Sequence, residues 1–303
     1  MKKFTLFSCG LLMAAVLLLS GCKKEIVPTV NNYISVNNAT LVAKELPKAS
    51  LATDMEIVMN EQVIPGGSAY VKVTSPMSAA KIIVGVKDQK GYYEAAPNAK
   101  GTDGYSFALL VNQNIKLEKN ETGFIMLVAL QDVNGNVSQM QEHFVKLKPI
   151  ANGVLQVSVS FDNEKDVDLH LVEPEQKDQA GHDYSFTDRH VSYAHPISRN
   201  GGKLILESNT GCIVDGLNNE CIVYDENAYV ASGLYKVYVD MFTNCNTNDM
   251  PTNWVVSVIY NGELIASHSG GNPVIGSFPS NAPDNYANLN NLQPVMTFII
   301  PNK

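Results

Sequence analysis

Hydrophobic and polar positions alternate along most of this 303-residue chain. Its start is different: Phe4–Leu19 is apolar, broken only by Thr5, Ser8, Cys9 and Gly10. From about Ala49 the period becomes two, the spacing of strands. Met55–Val58, Ala69–Thr74, Lys81–Lys87, Tyr105–Val111, Phe124–Leu130 and Val137–Leu147 each read as a strand. Turn residues separate them, notably Pro65-Gly66-Gly67, Gln89-Lys90-Gly91 and the hairpin signal Asn134-Gly135. Lys148-Pro149-Ile150-Ala151-Asn152-Gly153 interrupts the pattern, which restarts directly afterwards. Leu155, Val157, Val159 and Phe161 then share one face, and Gln156, Ser158 and Ser160 the other. This is the pattern of a half-buried strand. Leu234–Met241 and Trp254–Tyr260 repeat it, Asn261-Gly262 turns into Glu263–His268, and Val295–Ile300 is the last strand. No helical period of any length competes.

These segments predict an all-β chain: an N-terminal immunoglobulin-like sandwich over 49–150, followed by a β-sandwich or jelly-roll-like domain over 151–303. Residues 22–48 are polar and Asn-rich and are expected to form a tether. Lys2 and Lys3 precede the apolar run, which is shorter than the roughly 20 residues of a membrane-spanning helix. Residues 1–21 therefore read as a secretory signal peptide. Its end, Leu19-Ser20-Gly21-Cys22, resembles the lipobox of bacterial lipoproteins. The resemblance implies cleavage before Cys22 and acylation of its thiol. Two or three acyl chains anchor a protein stably, at about 0.8 kcal/mol per buried CH₂. Lys23, not Asp, follows Cys22. The expected destination is the outer membrane, with the folded part facing the periplasm or the cell exterior.

Charge narrows the partners. The formal net charge is -8, and removal of Lys2 and Lys3 takes it to -10. An acidic chain without a Lys/Arg cluster argues against nucleic acid and against electrostatic membrane binding. The expected membrane contact is the lipid alone. Of five cysteines, Cys9 leaves with the signal and Cys22 is acylated. Cys212, Cys221 and Cys245 remain for an oxidising compartment, so at most one bridge forms. A Cys212–Cys245 bridge would close the long loop, and Cys212–Cys221 the short one. The long loop gains more, roughly 3–4 kcal/mol in the chain-entropy model.

Asp166-Val167-Asp168-Leu169-His170-Leu171 opens a further resemblance. It is similar to the "DVDLHV-x-x-P" strand of a bacterial domain of unknown function related to pre-peptidase C-terminal β-sandwich domains. Gly201-Gly202-Lys203-Leu204 stands at that family's "GG-x-LD-x-D", and Asn218-Asn219-Glu220-Cys221-Ile222 at its "ENI" segment. Gly233-Leu234-Tyr235-Lys236-Val237 matches its "PGxYxVxV" strand. The likeness spans about 154–302. Ile205 and Glu207 replace the two Asp of "LD-x-D", and Cys221 replaces an Asn. That replacement favours Cys212–Cys245 as the bridge. The Ile205 departure weakens a metal role inferred from acidic pairs.

Asp166 and Asp168 are two apart and share a strand face. With Glu207 they are expected to form an oxygen-rich calcium site, against the alternative that one Asp caps a turn and the other is solvated. His170, His182, His190 and His195 crowd one segment and are a second, weaker metal candidate. Tyr184, Tyr193, Tyr224 and Tyr229 are candidate ligand contacts in loop regions, and Trp254 reads as core. No GxSxG or HExxH element marks an enzyme. The expected function is a non-catalytic, envelope-anchored binding or adhesion module for protein or glycan. The alternatives are an accessory subunit of an envelope complex that binds nothing small, and a hydrolase with an unrecognised site.

Overall fold

A computed structural model describes residues 27–97, 104–245, 250–269, 271–286 and 288–302. The expected signal peptide, residues 1–21, and Cys22 lie outside the described residues. The first half carries β1 (Ile34–Val36), β2 (Ala39–Val42), β3 (Glu56–Val58), β4 (Gln62–Val63), β5 (Ser68–Thr74), β6 (Lys81–Val86), β7 (Tyr92–Ala95), β8 (Tyr105–Val111), β9 (Gly123–Gln131) and β10 (Gln141–Leu147). The second half carries β11 (Leu155–Phe161), β12 (Asp166–Val172), the single-turn helix α1 (Phe186–Arg189), β13 (His190–Val191), β14 (Lys203–Leu206), β15 (Asn219–Tyr224) and β16 (Gly233–Thr243). It closes with β17 (Thr252–Tyr260), β18 (Glu263–Leu264), β19 (Ser267–Ser269), β20 (Val274–Phe278) and β21 (Met296–Ile300).

The fold is all-β. Sheets ordered β1-β8-β5-β3 and β2-β7-β6-β9-β10-β4 enclose one core, with Val71, Val84, Leu109 and Met126 fully buried in it. Sheets ordered β14-β15-β11-β17-β18, with β20 also on β17, and β13-β12-β16-β21-β19 enclose another, built on Phe161, Leu169, Tyr235 and Phe298. Trp254 lies at the edge of this second core, 7% exposed, with its ring 6.2 Å from that of Phe278. Among the described strands pairing is antiparallel except between β4 and β10, and the isolated bridge Leu51–Ser138 is also parallel.

Two sequence expectations are corrected. The stretch expected as a tether to residue 48 is folded from Val30 onward. Val30, Ile34 and Val36 are buried in the first core, and β1 and β2 pair with β8 and β7. Each of these strands is only three or four residues long, too short to show a clear period. The second correction concerns β11, expected to be wet on one face. All seven of its residues are buried.

Its polar face packs on the first sandwich. Gln156 Nε2 donates to the Pro65 carbonyl (2.9 Å), and Gln113 Nε2 donates to Gln156 Oε1 (2.9 Å). Ser68 Oγ on β5 donates to the Val255 carbonyl on β17 (3.2 Å). At the rim Lys72 and Asp162 form an ion pair at 2.7 Å. Ile64 adds an apolar contact with Cys221 and Val223. The outer face of one sheet thus becomes the inner face of a joint, with its polar groups paired as burial requires.

Replacing Gln156 with Ala leaves the Pro65 carbonyl without its donor inside that joint and removes one of the two acceptors of the Gln113 amide, the Gly153 carbonyl remaining. The expected loss in urea denaturation is about 1–3 kcal/mol, against near neutrality if water replaces the amide.

Candidate functional site

The period of two in β12 places Val167, Leu169 and Leu171 in the second core and therefore Asp166, Asp168 and His170 on the opposite face. That face is not solvated. Asp166 and Asp168 are each 2% exposed and His170 is fully buried. Across the β12–β16 pairing Asp168 faces Asp240, which is also fully buried. Among the described residues, Asp168, His170 and Asp240 offer ligand atoms that all lie within 4.8 Å of one another.

Each group is held from a different part of the chain. Gly211 N–H donates to Asp166 Oδ2 (2.9 Å), and Asn285 Nδ2 donates to Asp240 Oδ1 (2.7 Å). His170 Nδ1 lies 3.0 Å from His190 Nε2, with the two rings stacked. Behind the strand, Leu169 N–H donates to Glu220 Oε2 (2.6 Å), so a carboxylate of β15 braces the free edge of β12. Among the described residues, Asp168 Oδ2, His170 Nε2 and Glu220 Oε1 find no hydrogen-bond partner.

The electrostatics follow from burial and like charge. Burial raises the Asp166 carboxyl to about 6, against the Gly211 N–H, with Glu207 adding to the rise. Burial, then Asp166, Asp240 and Glu207, raises Asp168. Burial and Asp168 raise Glu220 well above the carboxylate range. Burial, reinforced by His190, lowers His170 to about 3, so its imidazole is neutral. Burial and mutual repulsion thus push these carboxyl groups towards their neutral, protonated forms.

Of the expected calcium ligands, Asp168 is at the centre, whereas Asp166 and Glu207 stand beside the trio and act on Asp168 through their charge. Three of the four histidines meet. His190 contacts His170, and His195 lies edge-on to His190 with ring centroids 5.8 Å apart. His182 is elsewhere, against Asp178 at 3.3 Å. Asp240 and Glu220 were not singled out in the sequence. The visible signal was an acidic residue inside an otherwise apolar strand, Val237-Tyr238-Val239-Asp240-Met241.

Of the tyrosines, Tyr193 is close enough to these carboxylates to feel their charge. Its hydroxyl is raised by burial and then by Asp168, Asp240, Asp166 and Glu207. Its ring meets Phe242 edge-on at 5.2 Å, and Phe242 meets Tyr286 at 5.4 Å. Tyr193 is 37% exposed and Tyr286 62%. Tyr229 is exposed, and the Arg199 guanidinium covers the Tyr184 ring at 4.3 Å. Tyr224 corrects the expectation of ligand contact. It belongs to β15, is fully buried, and donates its hydroxyl to Glu173 Oε1 (2.6 Å).

Cys212 and Cys245 are bonded, 33 residues apart, and Cys221 is free and buried. The bridge joins the Gly211 turn that holds Asp166 to the end of β16 beyond Thr243, the residue opposite Asp166. Burial and Glu220 raise the Cys221 thiol, so thiolate is suppressed. A soluble form starting at Lys23 should show no thiol reactive to DTNB when native and one after denaturation without reductant. Replacing Cys212 and Cys245 together by Ser should lower stability by about 3–4 kcal/mol in urea. A native reactive thiol, or a Cys212–Cys221 peptide in a non-reduced tryptic digest, contradicts this arrangement.

No protein-family model matches the chain, and no curated protein sequence matches it.

Proposed function

We propose that the chain is a non-catalytic, lipid-anchored binding module of the bacterial cell envelope whose ligand is a glycan. The observation that carries this reading is the aromatic group Tyr193–Phe242–Tyr286 near the buried carboxylates, with Tyr193 and Tyr286 exposed and Phe242 half-buried between them. Aromatic rings offer apolar faces to the C–H faces of sugars, and tyrosine adds a polar handle. Asn285 and Asp284 lie beside this group, and the Tyr286 hydroxyl donates to Asp284 Oδ2 (3.0 Å). Amides and carboxylates of this kind take sugar hydroxyls. A binding role is favoured over hydrolysis because Asp168 and Asp240, the carboxylates that face each other, are at most 2% exposed. A hydrolytic pair has to reach the scissile bond.

The anchor rests on Leu19-Ser20-Gly21-Cys22 and the leader before it. Cys22→Ser should abolish palmitate labelling and release the protein from the membrane fraction. Unchanged labelling and fractionation would remove the lipoprotein reading. A glycan array with the soluble form from Lys23 tests the ligand. Binding that falls at least ten-fold in Tyr193→Ala and Tyr286→Ala is the expected result. Silence on the array, with one stable envelope protein recovered by pull-down, favours the accessory-subunit alternative.

A further inference from the structure

We propose that Asp168, His170 and Asp240 form a binding site for one transition-metal dication of the zinc class. The proposal does not depend on the glycan reading. The first observation is convergence: two carboxylates and one imidazole, from adjacent strands in register, place ligand atoms within 4.8 Å of one another. The second is independent of it. Asp168 Oδ2 and His170 Nε2 belong to side chains at most 2% exposed, His170 Nε2 faces the Asp240 carboxylate, and among the described residues neither atom has a hydrogen-bond partner. Buried polar atoms of native proteins are paired with few exceptions. One cation satisfies both.

The distance between His170 Nε2 and Asp240 Oδ2 is 4.0 Å. That is too long for a hydrogen bond. Two ligands about 2.0–2.1 Å from a tetrahedral zinc stand roughly 3.3–3.4 Å apart. A small inward rotation of the Asp240 carboxylate closes the difference.

The histidine pair selects the donor atom. One proton lies between His170 Nδ1 and His190 Nε2, 3.0 Å apart. If His170 Nδ1 accepted it, the proton would sit on Nε2 and point at Asp240 beyond hydrogen-bonding range. With Nδ1–H donating to His190, Nε2 carries a lone pair towards the two carboxylates. An imidazole whose second nitrogen is held by a neighbour is the usual arrangement of a metal-bound histidine. Asn285 plays the corresponding part for Asp240, donating to Oδ1 at 2.7 Å, while Oδ2 faces His170 Nε2 at 4.0 Å.

The donor set decides the metal class. Calcium takes six to eight oxygen ligands and rarely a nitrogen. One imidazole with two carboxylates suits zinc and its first-row neighbours. The sequence expectation of calcium at Asp166, Asp168 and Glu207 is thereby replaced. The positive charge also offsets the like-charge crowding of Asp166, Asp168, Asp240, Glu207 and Glu220.

Isothermal titration of the EDTA-stripped, dialysed full chain with Zn²⁺ tests the proposal, with Co²⁺ loading as a spectroscopic check. The expected result is one Zn²⁺ per chain at micromolar affinity or tighter, a raised Tm, visible d–d bands with Co²⁺, and no displacement by millimolar Ca²⁺. Asp168→Asn and Asp240→Asn should each weaken Zn²⁺ binding by at least ten-fold. His190→Gln, outside the ligand set, should weaken it about 10–100-fold. Far-ultraviolet circular dichroism confirms that each variant is folded, and the wild-type stoichiometry stands even where one is not. Three results overturn the proposal: no Zn²⁺ or Co²⁺ bound by the wild type, Ca²⁺ bound in their place, or Zn²⁺ bound equally well by folded Asp168→Asn and Asp240→Asn. The last would place the ion elsewhere, as at the exposed His182–Asp178 pair.

Discussion

The arrangement of the second sandwich depends on the period of two in Asp166–Val172. Burying Val167, Leu169 and Leu171 forces two carboxylates and an imidazole onto the reverse face of the same strand. An ionised carboxylate out of water is costly unless it is paired. The surrounding chain answers that demand from distant positions. Gly211 reaches Asp166, Asn285 reaches Asp240, and His190 reaches His170. The disulfide fixes the Gly211 turn to the end of β16, so the loop that holds Asp166 is itself restrained. Even so the pairing is incomplete. Among the described residues Asp168 Oδ2 and His170 Nε2 remain without hydrogen-bond partners, in a place where burial and neighbouring carboxyls raise Asp168. A core strand would not accumulate such groups for stability alone, since apolar residues fill the same space at lower cost.

Alternation made most long strands legible. Tyr105–Val111 and Leu155–Phe161 have the same limits in the sequence pattern and in the structure. Short strands were not legible. The pairs formed by Ile34–Val36 and Ala39–Val42 offer too few residues to distinguish a period from an Asn-rich linker. A period also says which residues share a face, but not what covers that face. Gln156, Ser158 and Ser160 look solvated in one dimension. They are buried because Pro65, Ser68 and Gln113, from far earlier in the chain, pack over them.

The site divides along the same line. Asp166 and Asp168 were visible as a pair because they lie on one strand. Their partner Asp240 is opposite Asp168 only through strand register, which local sequence does not specify. His190 reaches His170 through the long connection from β12 to β13. Tyr224 failed as a ligand contact for a related reason. Its Asn-rich, Glu-bearing neighbourhood reads as loop, whereas Asn219–Tyr224 pairs with both β11 and β14.

Those pairings give β15 a double role that links the two sandwiches. Cys221 projects to the joint, against Ile64 of the first half. Glu220, its neighbour, projects to the other face and holds the Leu169 N–H at the free edge of β12. The strand that seats one sandwich on the other is therefore also the strand that braces β12, which carries Asp168 and His170. Any change in how the first half sits against Cys221 acts on the backbone that positions Glu220. The first half, on this geometry, completes the support of the carboxylate cluster, through a joint whose polar groups are already committed to hydrogen bonds across it.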